Sequence, residues 1–390
     1  MRFLALFLWI MYVYSDVDIA IAQDEKNWTG ILWETADDSH ARCFEDFGND
    51  YFPKKAWRTD TPQGQGLNEE KLKDLIWKLR KGEILRPITS LVMVKNGYLV
   101  VNERFGEYED SRPHTLQSVT KSITSTLVGV AIQQGFIQGL DQKILDFFPE
   151  YQTIENDESA KRAMNLQNAL NMRTGQAWTG ERHLGPLNRY KGDKMKYVLD
   201  YEMELAPGKK WHYNSGIAIL MGGLLQNATG MDTEDFAQQF LFGPLAIKSA
   251  QWSWGHKGIP HTGGGLFLTP IDLARIGYLY LRNGCWEGQQ IFPEDWIHGI
   301  LTNAVPLVKK FHGGIPAGYG GMWWLLPQEK TKTKNSFDIL MAYGHWGQFL
   351  FVIPQYDMVI VMTQNDSATY SEEIGPIKLL YSHLLPMVKK

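Results

Sequence analysis

Strand signals stand at both ends of this chain and helix signals fill the stretch between, and that order restricts the fold more than any single motif does. Ser90 to Val94 and Tyr98 to Val101 read as strands separated by Lys95-Asn96-Gly97, and Asn-Gly favours a tight type I′ hairpin turn. Far downstream, Gly321 to Leu326 is strand-like. Phe349 to Ile353 and Met358 to Thr363 form a further pair around Pro354-Gln355-Tyr356-Asp357. Helices occupy the rest. Asn68 caps a segment with Leu72, Leu75, Ile76 and Leu79 on one face, stopped by Gly82. From Ser118 to Gln134, Val119, Ile123, Leu127, Val130 and Ala131 recur at the spacing of an amphipathic helix that Gly135 ends. Thr269-Pro270 opens a helix over Ile271 to Leu281, and Glu372 to Val388 reads as a last one. The reading is α/β (α+β): an antiparallel sheet flanked by helices, with a largely helical insertion over about residues 121–250. One domain over 67–390 follows an irregular lead-in over 23–66.

The chain has 390 residues, 44% of them hydrophobic, enough to bury a substantial core. Net charge is −4 and no basic block occurs, which argues against a nucleic-acid partner. At the start, Arg2, the apolar run Phe3 to Val13 and the small residues Ala20-Ile21-Ala22 read as a signal peptide over 1–22. The run falls short of the roughly 20 residues of a membrane span, so no stable membrane anchor is expected. Cleavage near Ala22 would leave an exported protein, periplasmic or secreted. The two cysteines, Cys43 and Cys285, exclude a disulfide scaffold and a cysteine zinc site. After export they could pair, and two unpaired buried thiols is an equal alternative, since sequence does not show proximity. The ten histidines show no metal-ligand spacing and no phosphate-binding loop appears, so neither metal nor cofactor is expected.

Three short motifs carry chemistry. Ser118-Val119-Thr120-Lys121 is the one S-x-x-K in the chain and stands at a helix start, where residues three apart share a face. A serine hydroxyl attacks only when a base takes its proton, and a lysine serves as that base when it is neutral. The plain alternative is a capping serine beside a solvated lysine. Tyr213-Asn214-Ser215 is the one tyrosine followed two places later by Ser or Asn. Such a tyrosine beside a lysine can exchange protons with it, and Ser215 can bond to lysine or substrate. A tyrosine that only packs its ring is the alternative. Gly344-His345-Trp346-Gly347-Gln348 leads directly into a strand: Gly347 would let substrate approach the backbone, and the Gln348 amide would complete an oxyanion hole with that of Ser118. His261-Thr262-Gly263 competes for the same role by residue type.

S-x-x-K, then Y-x-[NS], then [KH]-x-G before two closing strands resembles the serine β-lactamase and penicillin-binding protein superfamily. Gly264-Gly265-Leu266 with Thr269 to Ala274, and Asn171-Met172-Arg173-Thr174-Gly175, look like stretches of its class C-like esterases and peptidases. The likeness spans roughly residues 68 to 385, and the Tyr-x-Ser and Gly-His-x-Gly-Gln forms are most similar to the 6-aminohexanoate-dimer hydrolase and esterase branch. The resemblance implies a β-lactamase/transpeptidase-like fold. It also implies Ser118 as nucleophile, Lys121 and Tyr213 as proton carriers, and Ser215, His345, Trp346 and Gly347 as substrate contacts. Where class C β-lactamases usually carry Lys-Thr-Gly for the drug carboxylate, this chain has His345-Trp346-Gly347, so esters or small amides are the expected substrates. A β-lactamase, a DD-peptidase and a non-turnover penicillin-binding module remain the alternatives.

Overall fold

The computed structural model describes Cys43, Phe47 and residues 50–389 apart from 110, 157–158, 257, 312–314 and 328–336. The leader read at residues 1–22 therefore lies outside the described residues.

The main sheet has eight antiparallel strands. They are β1 (Ile88–Lys95), β2 (Tyr98–Arg104), β3 (Val305–Phe311), β4 (Ile315–Gly320), β5 (Trp323–Leu326), β6 (Ile339–Gly344), β7 (Gln348–Ile353) and β8 (Met358–Gln364). Their spatial order is β3-β4-β5-β6-β7-β8-β1-β2, so the last strand pairs with the first, Lys95 opposite Met358 and Ile88 opposite Gln364. The early hairpin thus completes a sheet made mostly by the C-terminal third, and the helical chain between must return over it. Asn96 and Gly97 take φ of 51° and 74°, the left-handed pair that a type I′ turn requires. Every residue of β1, β6, β7 and β8 is buried. These strands are covered on both faces, which is why they read as apolar runs without clean alternation.

Local signals set the helix ends. In α1 (Glu69–Lys81) the Asn68 carboxamide oxygen accepts from the Lys71 N–H at 3.0 Å, and Gly82 closes the helix at φ 64°. Next come α2 (Val119–Gln133), α3 (Ser215–Thr229) and α4 (Pro270–Leu281), the last packed on β1, β7 and β8. Thr269 Oγ1 accepts from the Asp272 N–H, and Pro270 occupies the first turn of α4, where its missing N–H costs nothing.

Two expectations need correction. The helix expected to be amphipathic, α2, is buried on every side from Val119 to Ala131. Three of its hydroxyls have internal partners: Ser122 donates to Met322 O at 2.7 Å, Thr124 to Thr262 O at 2.8 Å, and Thr126 meets Tyr280 Oη at 2.9 Å. A polar residue with a partner is admissible in a core, so the polar positions did not mark a solvent face. The last helix is also broken. A short α5 (Tyr370–Glu373) precedes Gly375–Leu379, and Gly375-Pro376 interrupts what periodicity made continuous. Cys43 and Cys285 form a disulfide that ties the lead-in to the chain just beyond α4.

Candidate active site

Ser118 is held by backbone on two sides. His114–Thr115 pairs with Leu266–Leu268, the Leu116 N–H donates to Leu266 O at 2.9 Å, and Gln117 turns the chain at a left-handed φ of 48°. On the other side lies Gly344, the last residue of β6. A Cβ there would meet Leu116 O at 2.3 Å and Ser118 N at 3.1 Å, so only glycine lets the sheet come this close to the serine loop. The Ser118 hydroxyl makes no capping bond at the start of α2; instead it accepts from Lys121 Nζ at 2.8 Å. Lys121 is 2% exposed and also donates to Gly263 O at 2.6 Å. Capping serine and solvated lysine are both absent from this pair: the amine is buried, and it meets the hydroxyl of a half-buried serine.

Tyr213 arrives from the loop before α3. That loop is fixed by the segment 171–176: the His212 N–H donates to Met172 O at 2.9 Å and the Asn214 carboxamide donates to Gln176 Oε1 at 3.1 Å. Asn214 Oδ1 in turn caps α3, accepting from the Ile217 N–H at 3.0 Å. Lys121 Nζ stands 5.0 Å from the Tyr213 ring centroid, which brings the first two motifs together. The ring packs as well, stacked on Trp324 with centroids 6.0 Å apart and edge-on to Tyr319 at 6.1 Å. Burial, with a contribution from Tyr213, drives the Tyr319 hydroxyl well above the usual range, so it stays neutral. Ser215 opens α3 and is buried, its carbonyl 3.3 Å from where a Cβ on Gly263 would lie.

The third motif forms the turn between β6 and β7, with Gly344 paired to Gln348. Trp346 and Gly347 take φ of 61° and 80°. A Cβ at position 347 would fall 2.0 Å from Gln364 Oε1. That side of Gly347 is filled by the protein's own glutamine, so internal packing accounts for the glycine, where the sequence suggested access for substrate. The Gln348 carboxamide is buried and donates to Trp346 O at 3.2 Å and Gln364 O at 2.8 Å, leaving its backbone N–H as the group to consider for catalysis.

His345 is half-exposed, as is Trp346; the His345 Nδ1 lies 3.3 and 3.2 Å from the two carboxylate oxygens of Glu373 on α5. Glu373 is 4% exposed and also accepts a hydrogen bond from the Tyr343 hydroxyl. Sequence reading missed this carboxylate. Tyr343 and His345 stand two apart, which puts both on one face, but nothing near residue 373 announces the contact.

The competing motif also reaches the site, from the opposite side. Gly263 supplies the carbonyl that Lys121 bonds, and His261 Nε2 lies 3.3 Å from Asn188 Oδ1. Burial first, and then the Lys121 charge, push the His261 imidazole down to about 4, so it is neutral at physiological pH.

The description "Beta-lactamase" belongs to the family model that matches residues 83–380, well over half of the chain and all three motifs. The chain belongs to the β-lactamase family. As a member it is a hydrolase of the β-lactamase fold. A 6-aminohexanoate-dimer hydrolase of Paenarthrobacter ureafaciens is 24% identical over 290 residues, covering 70% of this chain and 71% of that protein. Among solved structures, a class C β-lactamase superposes with a TM-score of 0.59 at 17% identity, over 81% of this chain and 95% of the other. EstCE1, a hydrolase with promiscuous acyltransferase activity, gives 0.59 at 12% identity over 80% and 99%. The fold expected from the order of strands and helices is therefore that of its β-lactamase-family relatives. No helix among the described residues is long and apolar enough to cross a membrane.

Proposed function

We propose that this β-lactamase-family protein is an exported serine hydrolase that cleaves esters or small amides through a covalent acyl-Ser118 intermediate. The observation that carries the proposal is the Lys121 Nζ–Ser118 Oγ contact of 2.8 Å between a buried amine and a hydroxyl not spent on capping. Lys121 with Tyr213 takes the Ser118 proton as Oγ adds to the carbonyl carbon. Tyr213 returns a proton to the leaving group, and the same pair then activates water to release the acid and restore Ser118. The backbone N–H groups of Ser118 and Gln348 bind the oxyanion. The closeness of Gly344 to Ser118 N, and its pairing with Gln348, support that assignment. Each such donor is worth on the order of 10²–10³ in rate.

Ser215, His345 and Trp346 are assigned to substrate binding, and Gly347 to shaping the turn that carries them. No cofactor enters the mechanism. Ester and amide substrates are preferred over β-lactams because the far wall lacks the lysine and hydroxyl that hold a drug carboxylate. A panel of p-nitrophenyl esters, D-amino-acid amides and a chromogenic cephalosporin, read to steady state, tests the assignment. Sustained turnover with a short ester at least ~10-fold ahead of the cephalosporin in kcat/KM is expected, the scale of one lost charge-assisted hydrogen bond. Faster cephalosporin hydrolysis would make the protein a β-lactamase, faster D-amino-acid amide cleavage a peptidase. One equivalent of product followed by silence would make it a binding module.

A further inference from the structure

His345 is not a simple substitute for a lysine, because a buried carboxylate stands behind it. Glu373 faces Nδ1 through both oxygens, at 3.3 and 3.2 Å, while the Tyr343 hydroxyl donates to the same group. A carboxylate only accepts, so Nδ1 must carry the hydrogen. In a neutral imidazole this leaves Nε2 with a lone pair. His345 has 43% of its side chain exposed, whereas Glu373 has 5%, so the ring is the part of the pair within reach of a ligand.

We infer that Glu373 is a positioning residue that fixes His345 as a hydrogen-bond acceptor, so that this wall selects substrates bearing a hydroxyl or N–H donor over those bearing a carboxylate or an ether. The inference rests on the acyl-serine reading above and deepens it by naming a substrate class. With Nδ1 committed to Glu373, the neutral ring has no donor left to offer. Glu373 from α5 and Tyr343 from β6 are the titratable groups that meet the ring pair among the described residues. The acceptor preference belongs to the neutral ring, since a protonated ring would make Nε2 a donor.

The test uses matched p-nitrophenyl esters that differ only in a hydroxyl against its methyl ether, or a hydroxyl against a carboxylate, on the acyl chain. A second set carries the same groups on the alcohol part of an alkyl ester. At about pH 8 the hydroxyl member of at least one set should lead by about 3–10-fold in kcat/KM, the scale of one net hydrogen bond. Glu373→Gln can donate as well as accept, which frees both tautomers, and the lead should fall below about 2-fold. A lead that survives this change, or no lead in the wild type while plain esters are still turned over, overturns the inference. Failure to hydrolyse any ester would instead sink the acyl-serine reading. Independently of any variant, ¹⁵N spectra of the wild-type protein, with the His345 signal assigned by its loss in His345→Gln, should show the hydrogen on Nδ1. A hydrogen on Nε2 at pH 8 would overturn the inference.

Discussion

The two walls of the site are built in different ways. On one side, Ser118 and Lys121 lie three residues apart on one helix, and Tyr213 sits two residues before another, each placed by a helix start and a short anchored loop. On the other, His345 owes its position to the register of β6 and β7, to Gln364 at the end of β8 and to Glu373 from a different helix. Chemistry that needs an amine 2.8 Å from a hydroxyl is safest on a buried, rigid helix. The wall proposed for recognition, in contrast, is a half-exposed turn whose support comes from distant residues. A change near the turn can therefore alter which substrate is chosen while leaving the attacking pair in place.

The largest expected effect lies on the helical wall. Lys121→Ala and Tyr213→Phe should each lower kcat for the best ester by at least ~10²-fold, because general-base assistance contributes about that much. Near wild-type turnover in either variant would remove that residue from the mechanism and erase the contrast between the walls. A smaller effect is expected across the cleft. His345→Lys should raise kcat/KM for a chromogenic cephalosporin by about 10-fold relative to a short ester, through a restored charge-assisted contact. An unchanged ratio would mean that the turn does not set selectivity. Trp346 is best left in place in this experiment. Its φ of 61° lies in the left-handed region, where a β-branched threonine is a strained choice.

Much of the helical wall could be read from the sequence because its determinants are local. Cap and stop residues such as Asn68, Gly82 and Thr269-Pro270 act within one turn, and the Asn96-Gly97 hairpin within two residues. The strands around β3 and β4 were not read. Pro306, Pro316, Gly318 and Gly320 interrupt their pattern, and β3 is an edge strand, where proline is tolerated. Nor was β6, although it is wholly buried. The far wall was half legible: His345 and Gly347 stand in a motif, but the reason for Gly347 is Gln364 and the partner of His345 is Glu373. These are contacts of packing between separate elements, which no period of the chain encodes. A signal in hindsight is the acidic pair Glu372-Glu373 just before the helix-breaking Gly375-Pro376. Glu372 bonds the Thr369 hydroxyl and N–H as a cap, while Glu373 is left to point inward at the turn.

The central claim is that Ser118 carries the acyl group. The most direct measurement is labelling of the folded protein with a fluorophosphonate probe, followed by peptide mapping of the adduct by mass spectrometry. The account predicts one adduct on the peptide that contains Ser118. It predicts loss of both label and ester hydrolysis in Ser118→Ala, with an unchanged circular dichroism spectrum. An adduct on any other serine, or labelling that persists in Ser118→Ala, would place the nucleophile elsewhere and contradict the account.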